Sequence, residues 1–264
     1  MKSVAIAVIA LLGTTSRLCA ADLTISPPQE PAPPPVMYLG PTFAFTGYFW
    51  ASSLNGKSST LPPLPATDID LRFSDILKDL NGGIMGAGEL RFDRWGVLTD
   101  IMYSKVTSGG DLPGPFFSAA EVRSLSLTVQ SDVLYRFYSN QTVDFDLGAG
   151  VRYWNLDNKL TIKPGALNLR VDHSESEYWF DPVVAARVIA RINDTWSVTL
   201  AGDVGGFDVG SKLTYQVLGM VNYKWNENLT LHTGYRLLSV DYKKGDFLYD
   251  VRMYGPIMAF TYKF

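Results

Sequence analysis

The two histidines of this chain are the side chains best suited to acid–base chemistry, because histidine alone titrates near neutral pH at its ordinary pKa. His173 lies in the run Asp172-His173-Ser174-Glu175, and His232 lies in a later segment of alternating polarity. Asp172 and His173 could activate water for hydrolysis, or Ser174 could serve as a nucleophile with His173 as its base. Neighbouring side chains on an extended segment point apart, so we expect a solvated charged loop without catalytic activity.

Other motifs carry no specific chemistry. The glycines between Gly202 and Gly210 lack the spacing of a nucleotide-binding loop, and no helix follows them. No cluster of residues has the spacing of a metal site. The net charge of −3 gives no basic footprint for nucleic acid. We therefore expect no catalytic residue, no metal, no cofactor and no nucleic-acid partner.

Alternation of apolar and polar residues dominates the remaining sequence. Leu213, Tyr215, Val217, Val221 and Tyr223 share one parity of a long segment, and polar residues take most of the other. A strand with this pattern has one apolar and one polar face. Many long strands of this kind, rich in aromatic residues, are typical of a closed antiparallel transmembrane β-barrel, which leaves no backbone group unpaired in lipid.

The amino terminus divides into two segments. Residues 1–21 have a basic start, a short apolar stretch and a small-residue cleavage site, which predict a signal peptide. Residues 22–41 are rich in proline and predict an extended periplasmic leader. The barrel is then expected to occupy residues 42–264, in the outer membrane.

The turn signals predict an even number of strands, ten, with eight as the alternative. Short turns alternate with longer connections. This is the strand connectivity of bacterial outer-membrane barrels, and it places both termini in the periplasm. The longer connections are expected to lie outside, at 53–82, 107–122, 156–177, 205–211 and 243–250. The predicted strands are 42–52, 83–92, 95–106, 123–138, 142–155, 178–192, 196–204, 212–225, 229–242 and 251–264.

Three local features refine this prediction. The 53–82 connection contains an amphipathic helical pattern from Phe73 to Leu80, with Ser74 as a possible cap, at the outer surface. Pro182 and Pro256 lie inside predicted strands, where a bulge is expected because proline lacks a ladder donor. Tryptophans near the short turns predict a periplasmic aromatic girdle, formed by Trp95, Trp196 and Trp225. The phasing places three others on the inner face: Trp50, Trp154 and Trp179.

Several short sequence segments resemble those of small outer-membrane barrels of Gram-negative, particularly alphaproteobacterial, cells. They are the Ala-Asp start with its prolines, Asp203-Val204-Gly205-Gly206-Phe207, Gly234-Tyr235-Arg236 and the aromatic last strand. In these segments the chain is similar to short porin-like and opacity-type surface proteins, and the resemblance implies a surface barrel or a narrow pore. The last strand also resembles the signal that the barrel assembly machinery reads, carried here by Phe260, Tyr262 and Phe264.

The polar parity of the strands predicts an ionised lumen with balanced charge. Balance favours a narrow barrel filled by ion pairs, since each buried charge needs a partner, over an open selective pore. We expect a non-enzymatic, monomeric envelope protein in contact with outer-membrane lipid and lipopolysaccharide. A narrow passage for small solutes, and a hydrolase using the 156–177 loop, stay open as alternatives. The predicted lumen residues are Glu89, Arg91, Asp100, Asp132, Arg136, Asp144, Asp146, Arg152, Asp181, Arg187, Arg191, Asp203, His232 and Arg236, with Lys263 as a seventh base.

Overall fold

A computed structural model describes residues 40–113, 116–166 and 168–264. The predicted signal peptide and nearly all of the predicted leader lie outside the described residues. The helix and strands are β1 Thr42–Trp50, β2 Ser53–Ser59, β3 Thr67–Leu71, α1 Phe73–Asp79, β4 Leu80–Phe92, β5 Trp95–Asp111, β6 Phe117–Ser139, β7 Val143–Pro164, β8 Val171–Arg191, β9 Trp196–Gly205, β10 Leu213–Lys224, β11 Leu229–Lys244 and β12 Phe247–Lys263.

Ten of these strands close into an antiparallel barrel, which confirms the predicted fold class. From β4 to β12 each strand pairs with the next, and β1 pairs with both β4 and β12 to close the ring. β2 continues β1 after a two-residue break and also pairs with β12, while β3 pairs with β2 outside the ring. Closure leaves the ring without a free edge, as a lipid environment requires.

The outward faces of the strands carry the apolar side chains. Val217 is 48% exposed although it lies mid-strand in β10. Thr214, on the opposite face of the same strand, is fully buried in the interior. Near the short turns, Trp95 packs on Tyr135 and Trp196 on Tyr223, each with ring centroids 4.9 Å apart. This outward aromatic girdle lies at the end that holds the short turns, which marks it as the periplasmic end.

At the opposite, outer end, several strands continue well beyond their predicted limits. β5 reaches Asp111 and β6 begins at Phe117, so the predicted loop 107–122 is mostly strand. β7 reaches Pro164 and β8 begins at Val171, so the predicted loop 156–177 is also mostly strand. Both loop predictions are wrong because hairpins above the membrane pair through their backbones without an apolar face to mark them.

The predicted helix exists but is uncapped. α1 covers Phe73–Asp79, its N-cap residue is Arg72, and no side chain caps it, so the proposed capping role of Ser74 is wrong. The rest of the 53–82 connection forms β2 and β3. Among the described residues, no helix is long and apolar enough to cross a membrane.

The two prolines cause no bulge in their own strands. Pro182 stays in register with Val151, and Pro256 with Tyr235. The carbonyl of Pro182 accepts from the amide of Gly206, just past the end of β9, and that of Pro256 accepts from Ala51, in the break between β1 and β2. Each missing N–H therefore faces a place where the neighbouring strand has stopped or is interrupted.

The barrel lumen as candidate functional site

The periplasmic part of the lumen contains a group of ion pairs centred on Asp146. Its carboxylate is 1% exposed and accepts from Arg136 at 2.8 Å, from Arg187 at 2.7 Å and from Arg91 at 3.0 Å. Glu89 bridges two of the same arginines, at 2.7 Å from Arg187 and 2.8 Å from Arg91. One strand residue thus gathers three cations, and a second carboxylate shares the charge.

Asp144 extends this group toward the periplasmic rim. It lies 3.2 Å from Arg136, pairs with Arg191 and accepts from the hydroxyl of Ser139 at 2.6 Å. A buried carboxylate needs such partners, because its desolvation costs on the order of several kcal/mol when it is uncompensated.

A second polar layer crosses the lumen further out. Arg152, 1% exposed, donates to Asp203 at 2.6 Å and to the amide oxygen of Gln130 at 3.0 Å. Gln130 in turn donates to Asp132 at 2.7 Å, and Gln216 donates to Asp203 at 3.1 Å. Two neutral amides thereby connect with charged groups, and the side chains of this layer come from four strands.

The same layer continues to the opposite wall through Arg236. This guanidinium donates to Gln216 at 2.8 Å, to Asp100 at 2.6 Å and to the hydroxyl of Tyr48 at 2.9 Å. Tyr48 donates its proton to Asp100 at 2.6 Å. The side chains from Asp132 to Tyr48 therefore form one continuous hydrogen-bonded layer across the barrel.

His232 belongs to a separate, uncharged chain of hydrogen bonds. Its Nδ1 bonds the side-chain oxygen of Asn222 at 2.8 Å and its Nε2 bonds the hydroxyl of Thr261 at 2.8 Å. Thr261 continues to Thr46 at 2.7 Å. Lys263 keeps the inward parity of Thr261, but it lies exposed at the periplasmic end of β12 and no ion pair joins it to another residue of the described part of the chain.

The outer half of the lumen is filled by aromatic side chains around Asp181. This fully buried carboxylate has no basic partner among the residues described; it accepts from Trp154 at 3.0 Å, from Trp179 at 3.3 Å, and from the amide and hydroxyl of Ser211 at 2.6 and 2.8 Å. Trp179 stacks on Tyr242. The buried aromatic cluster consists of Trp50, Trp154, Leu156, Trp179, Leu238, Val240, Tyr242, Phe247, Tyr249, Val251 and Ile257.

A chamber of about 320 Å³ lies between the two polar layers. Small and aliphatic side chains form much of its wall, and charged groups from both layers line its edges. It is within the range of small-molecule pockets, roughly 300–1,000 Å³. Within the three described ranges, no group of three or more histidine, cysteine, aspartate or glutamate side chains could hold a metal ion.

The candidate hydrolytic residues lie on the outer part of β8 and point in different directions. Asp172 accepts from Arg170 at 2.8 Å and Thr161 at 2.7 Å, and these bonds hold the pKa of its exposed carboxyl low, at about 2. His173, next along the strand, bonds the carbonyl of Pro62 at 2.6 Å. Because successive strand residues face opposite sides, the Asp172 and His173 side chains do not form a pair.

The aromatic residues of the last strand face outward. Phe260, Tyr262 and Phe264 are 47%, 43% and 70% exposed, and Tyr262 packs edge-on against Phe264 with centroids 5.0 Å apart. Phe264 also packs on Phe43 of β1, with centroids 5.5 Å apart. The terminal residues thus lie at the seam where the barrel closes.

Neutral polar residues complete the lumen beside the predicted charged residues and His232. Gln130, Gln216 and Tyr48 join the charged groups of the second layer, and Thr214 accepts from Arg152 at 2.7 Å. The signal that could have found three of them is inward parity: Gln130 lies two residues from Asp132, and Thr214 and Gln216 share the polar parity of β10.

Comparison with known proteins supports the fold. No known family model matches the sequence, and no curated protein matches it. The outer-membrane protease OmpT from Escherichia coli has a similar structure, with a TM-score of 0.52 and 10% identity over 85% of this chain and 97% of OmpT. Neisserial surface protein A (NspA) covers 86% of this chain and 100% of its own, with 15% identity and a TM-score of 0.31.

Ail, the attachment invasion locus protein of Yersinia pestis, gives 12% identity and a TM-score of 0.31 over 85% of this chain and 99% of Ail. The likeness to OmpT concerns the fold alone. The fold is that of a Gram-negative outer-membrane β-barrel. Together with the outward apolar band, which only a bilayer can cover, it confirms the predicted outer-membrane location.

Proposed function

We propose that the protein is a non-enzymatic, monomeric envelope barrel of the alphaproteobacterial porin-like and opacity-type kind, with a lumen closed to ion flow. The observation that carries this proposal is the buried aromatic cluster. Trp154 is fully buried and Trp179 is 4% exposed, so the outer half of the lumen is packed like a protein core. Beneath it, paired charges occupy the cross-section where a conducting pore would hold water.

Planar-bilayer recording on the refolded protein tests this closure. The wild type should insert without discrete conductance steps. A variant with Trp154, Trp179 and Tyr242 changed to alanine should conduct once Arg152 and Asp203 are also changed to alanine. These changes remove both the side chains that block the mouth and part of the charge layer beneath them. Phe207→Ala, in an outer loop at 52% exposure, is the matched control and should stay silent. Stepwise conductance in the wild type would support a narrow solute passage instead.

The expected contacts of this barrel are with lipid, lipopolysaccharide and the assembly machinery. The ten-strand ring itself has no free edge for pairing with another chain within the membrane, which supports a monomer. The outward aromatic residues at the end of β12 are suited to recognition during assembly. Replacing Phe264 with serine should lower the amount of barrel inserted in cells, and fractionation of the envelope would measure it.

A hydrolase is the second candidate, favoured by one observation. OmpT, a protease, has a similar fold, and His173 lies at the outer end of this barrel with its ring within reach of the 53–82 connection. Peptide and phospholipid hydrolysis by the refolded wild type and by His173→Ala would test it. We expect both rates to equal that of protein-free vesicles, because Asp172 is engaged by Arg170.

A further inference from the structure

Within the lumen, the predicted groups comprise one more acid than bases, because seven acids face six arginines. Two lysines lie at the periplasmic rim: Lys263 is exposed there, and Lys224 is paired with Glu227 at 2.8 Å. His232 bonds only neutral partners, so no carboxylate holds a proton on its ring. The interior therefore has an excess negative charge with no fixed cation opposite it.

Asp132 is the residue where that excess is found. It is 4% exposed, forms no ion pair within the described residues, and receives one side-chain hydrogen bond, from Gln130. Its Oδ1 atom is buried without any hydrogen-bond partner in the described part of the chain.

The other carboxylate without a basic partner shows the contrast. Asp181 is fully buried but accepts four hydrogen bonds, from two tryptophans and from Ser211. Its oxygens are satisfied by neutral donors. Asp132 alone among the inner-face acids of the described chain keeps a buried oxygen unsatisfied, and its negative charge therefore has less compensation than that of Asp181.

Asp132 also lines the chamber between the two polar layers. Leu98, Leu134, Ala185 and Ala201 are among its apolar wall residues. At Gly150 a Cβ atom would lie 2.2 Å from Oδ1 of Asp132, so the glycine leaves room for the carboxyl group. An unpaired carboxylate at the edge of an apolar chamber suits a ligand with one cationic donor and an apolar body.

We propose that this chamber binds a small organic amine, with its ammonium group on Asp132 and its hydrocarbon part against the alanine and leucine walls. An ammonium group on the chamber side of the carboxylate would supply the missing positive charge through a charge-assisted hydrogen bond. A bare alkali ion fits less well, because apolar walls offer it few oxygen ligands. This inference does not depend on whether the barrel conducts or on its role in the envelope.

Calorimetric titration of the refolded barrel in detergent with 2-phenylethylammonium tests the proposal. We expect saturable binding of one ligand per barrel. Binding of the neutral analogue 2-phenylethanol should be at least tenfold weaker, and Asp132→Asn should weaken the amine by a similar factor. Equal binding of amine and alcohol, equal binding by Asp132→Asn, or no saturable binding by the wild type would each overturn it.

Two further measurements keep the result interpretable. Ala201→Phe fills the chamber without altering the carboxylate and should also abolish binding. Folding of each variant is checked by its heat-modifiable shift on a gel. If Asp132→Asn fails that check, Ala201→Phe takes its place. Potassium chloride is compared with N-methylglucamine chloride at the same ionic strength. Displacement of the amine by potassium alone would mean a site for a bare ion and would contradict the proposal.

Discussion

Trp179 stacks on Tyr242 with ring centroids 3.8 Å apart and planes inclined by 6°, although two strands separate β8 from β11 in the barrel. The hairpin between them is short: β9 ends at Gly205 and β10 begins at Leu213. Side chains of β8 and β11 meet across this gap, and Glu177 accepts from both Tyr242 at 3.1 Å and Lys244 at 2.8 Å. The outer mouth is therefore closed by side chains where the backbone wall is low.

This stack makes Tyr242 a stabilising residue of the mouth. Tyr242→Leu should lower the free energy of unfolding by about 1–3 kcal/mol, from lost packing and lost ring stacking. It should also weaken the near-ultraviolet circular dichroism of the stacked rings. Tyr242→Phe keeps the ring and loses only the bond to Glu177, so it should cost about 1 kcal/mol. Equal effects of the two changes would show that the stack contributes nothing.

Asp146 is the carboxylate on which the periplasmic ion pairs depend. Asp146→Asn leaves three arginines sharing fewer acceptors, and we expect it to destabilise the barrel by about 3–5 kcal/mol, as for one broken partner of a buried pair. Denaturant-induced unfolding in lipid vesicles would measure the loss. Glu121→Gln breaks an exposed pair with Lys163 at 2.9 Å and is the control, with an expected cost below about 1 kcal/mol.

The outward face of β10 should tolerate apolar changes and reject charge. Val217→Arg is expected to reduce the free energy of folding into lipid vesicles by about 2–4 kcal/mol near the bilayer midplane. Val217→Ile, which keeps an apolar side chain of similar shape, should leave it nearly unchanged. An arginine variant as stable as the wild type would be incompatible with lipid contact at this position.

Asp172 should titrate well below an ordinary aspartate. Hydrogen bonds from Arg170 and Thr161 lower its pKa to about 2 from an ordinary value of 3.8. Because the folded-state value is depressed, its stabilising contribution is complete above pH 3.8 and is lost as the pH falls toward 2. Carbon-13 NMR of labelled aspartate would measure the titration. In Arg170→Gln the midpoint should move upward; an unchanged midpoint would exclude the guanidinium as the main cause.

The sequence alone determined the barrel and its strand count, because lipid on one side and polar side chains on the other impose a two-residue alternation on every strand. It also placed Arg152 and Asp203 on the inner face, since parity depends only on position in the strand. Alternation could not set how far β7 and β8 rise above the membrane, where the backbone pairs in water and neither face must be apolar.

The tertiary structure decided which side chains contact each other inside the lumen. Asp100 and Arg236 are 136 residues apart and meet at 2.6 Å only because β5 and β11 face each other across the closed ring. The same closure leaves Asp132 without a cation and brings Trp179 onto Tyr242, neither of which any local pattern records. Parity determines which side chains enter the lumen, whereas ring closure and strand stagger determine which of them touch.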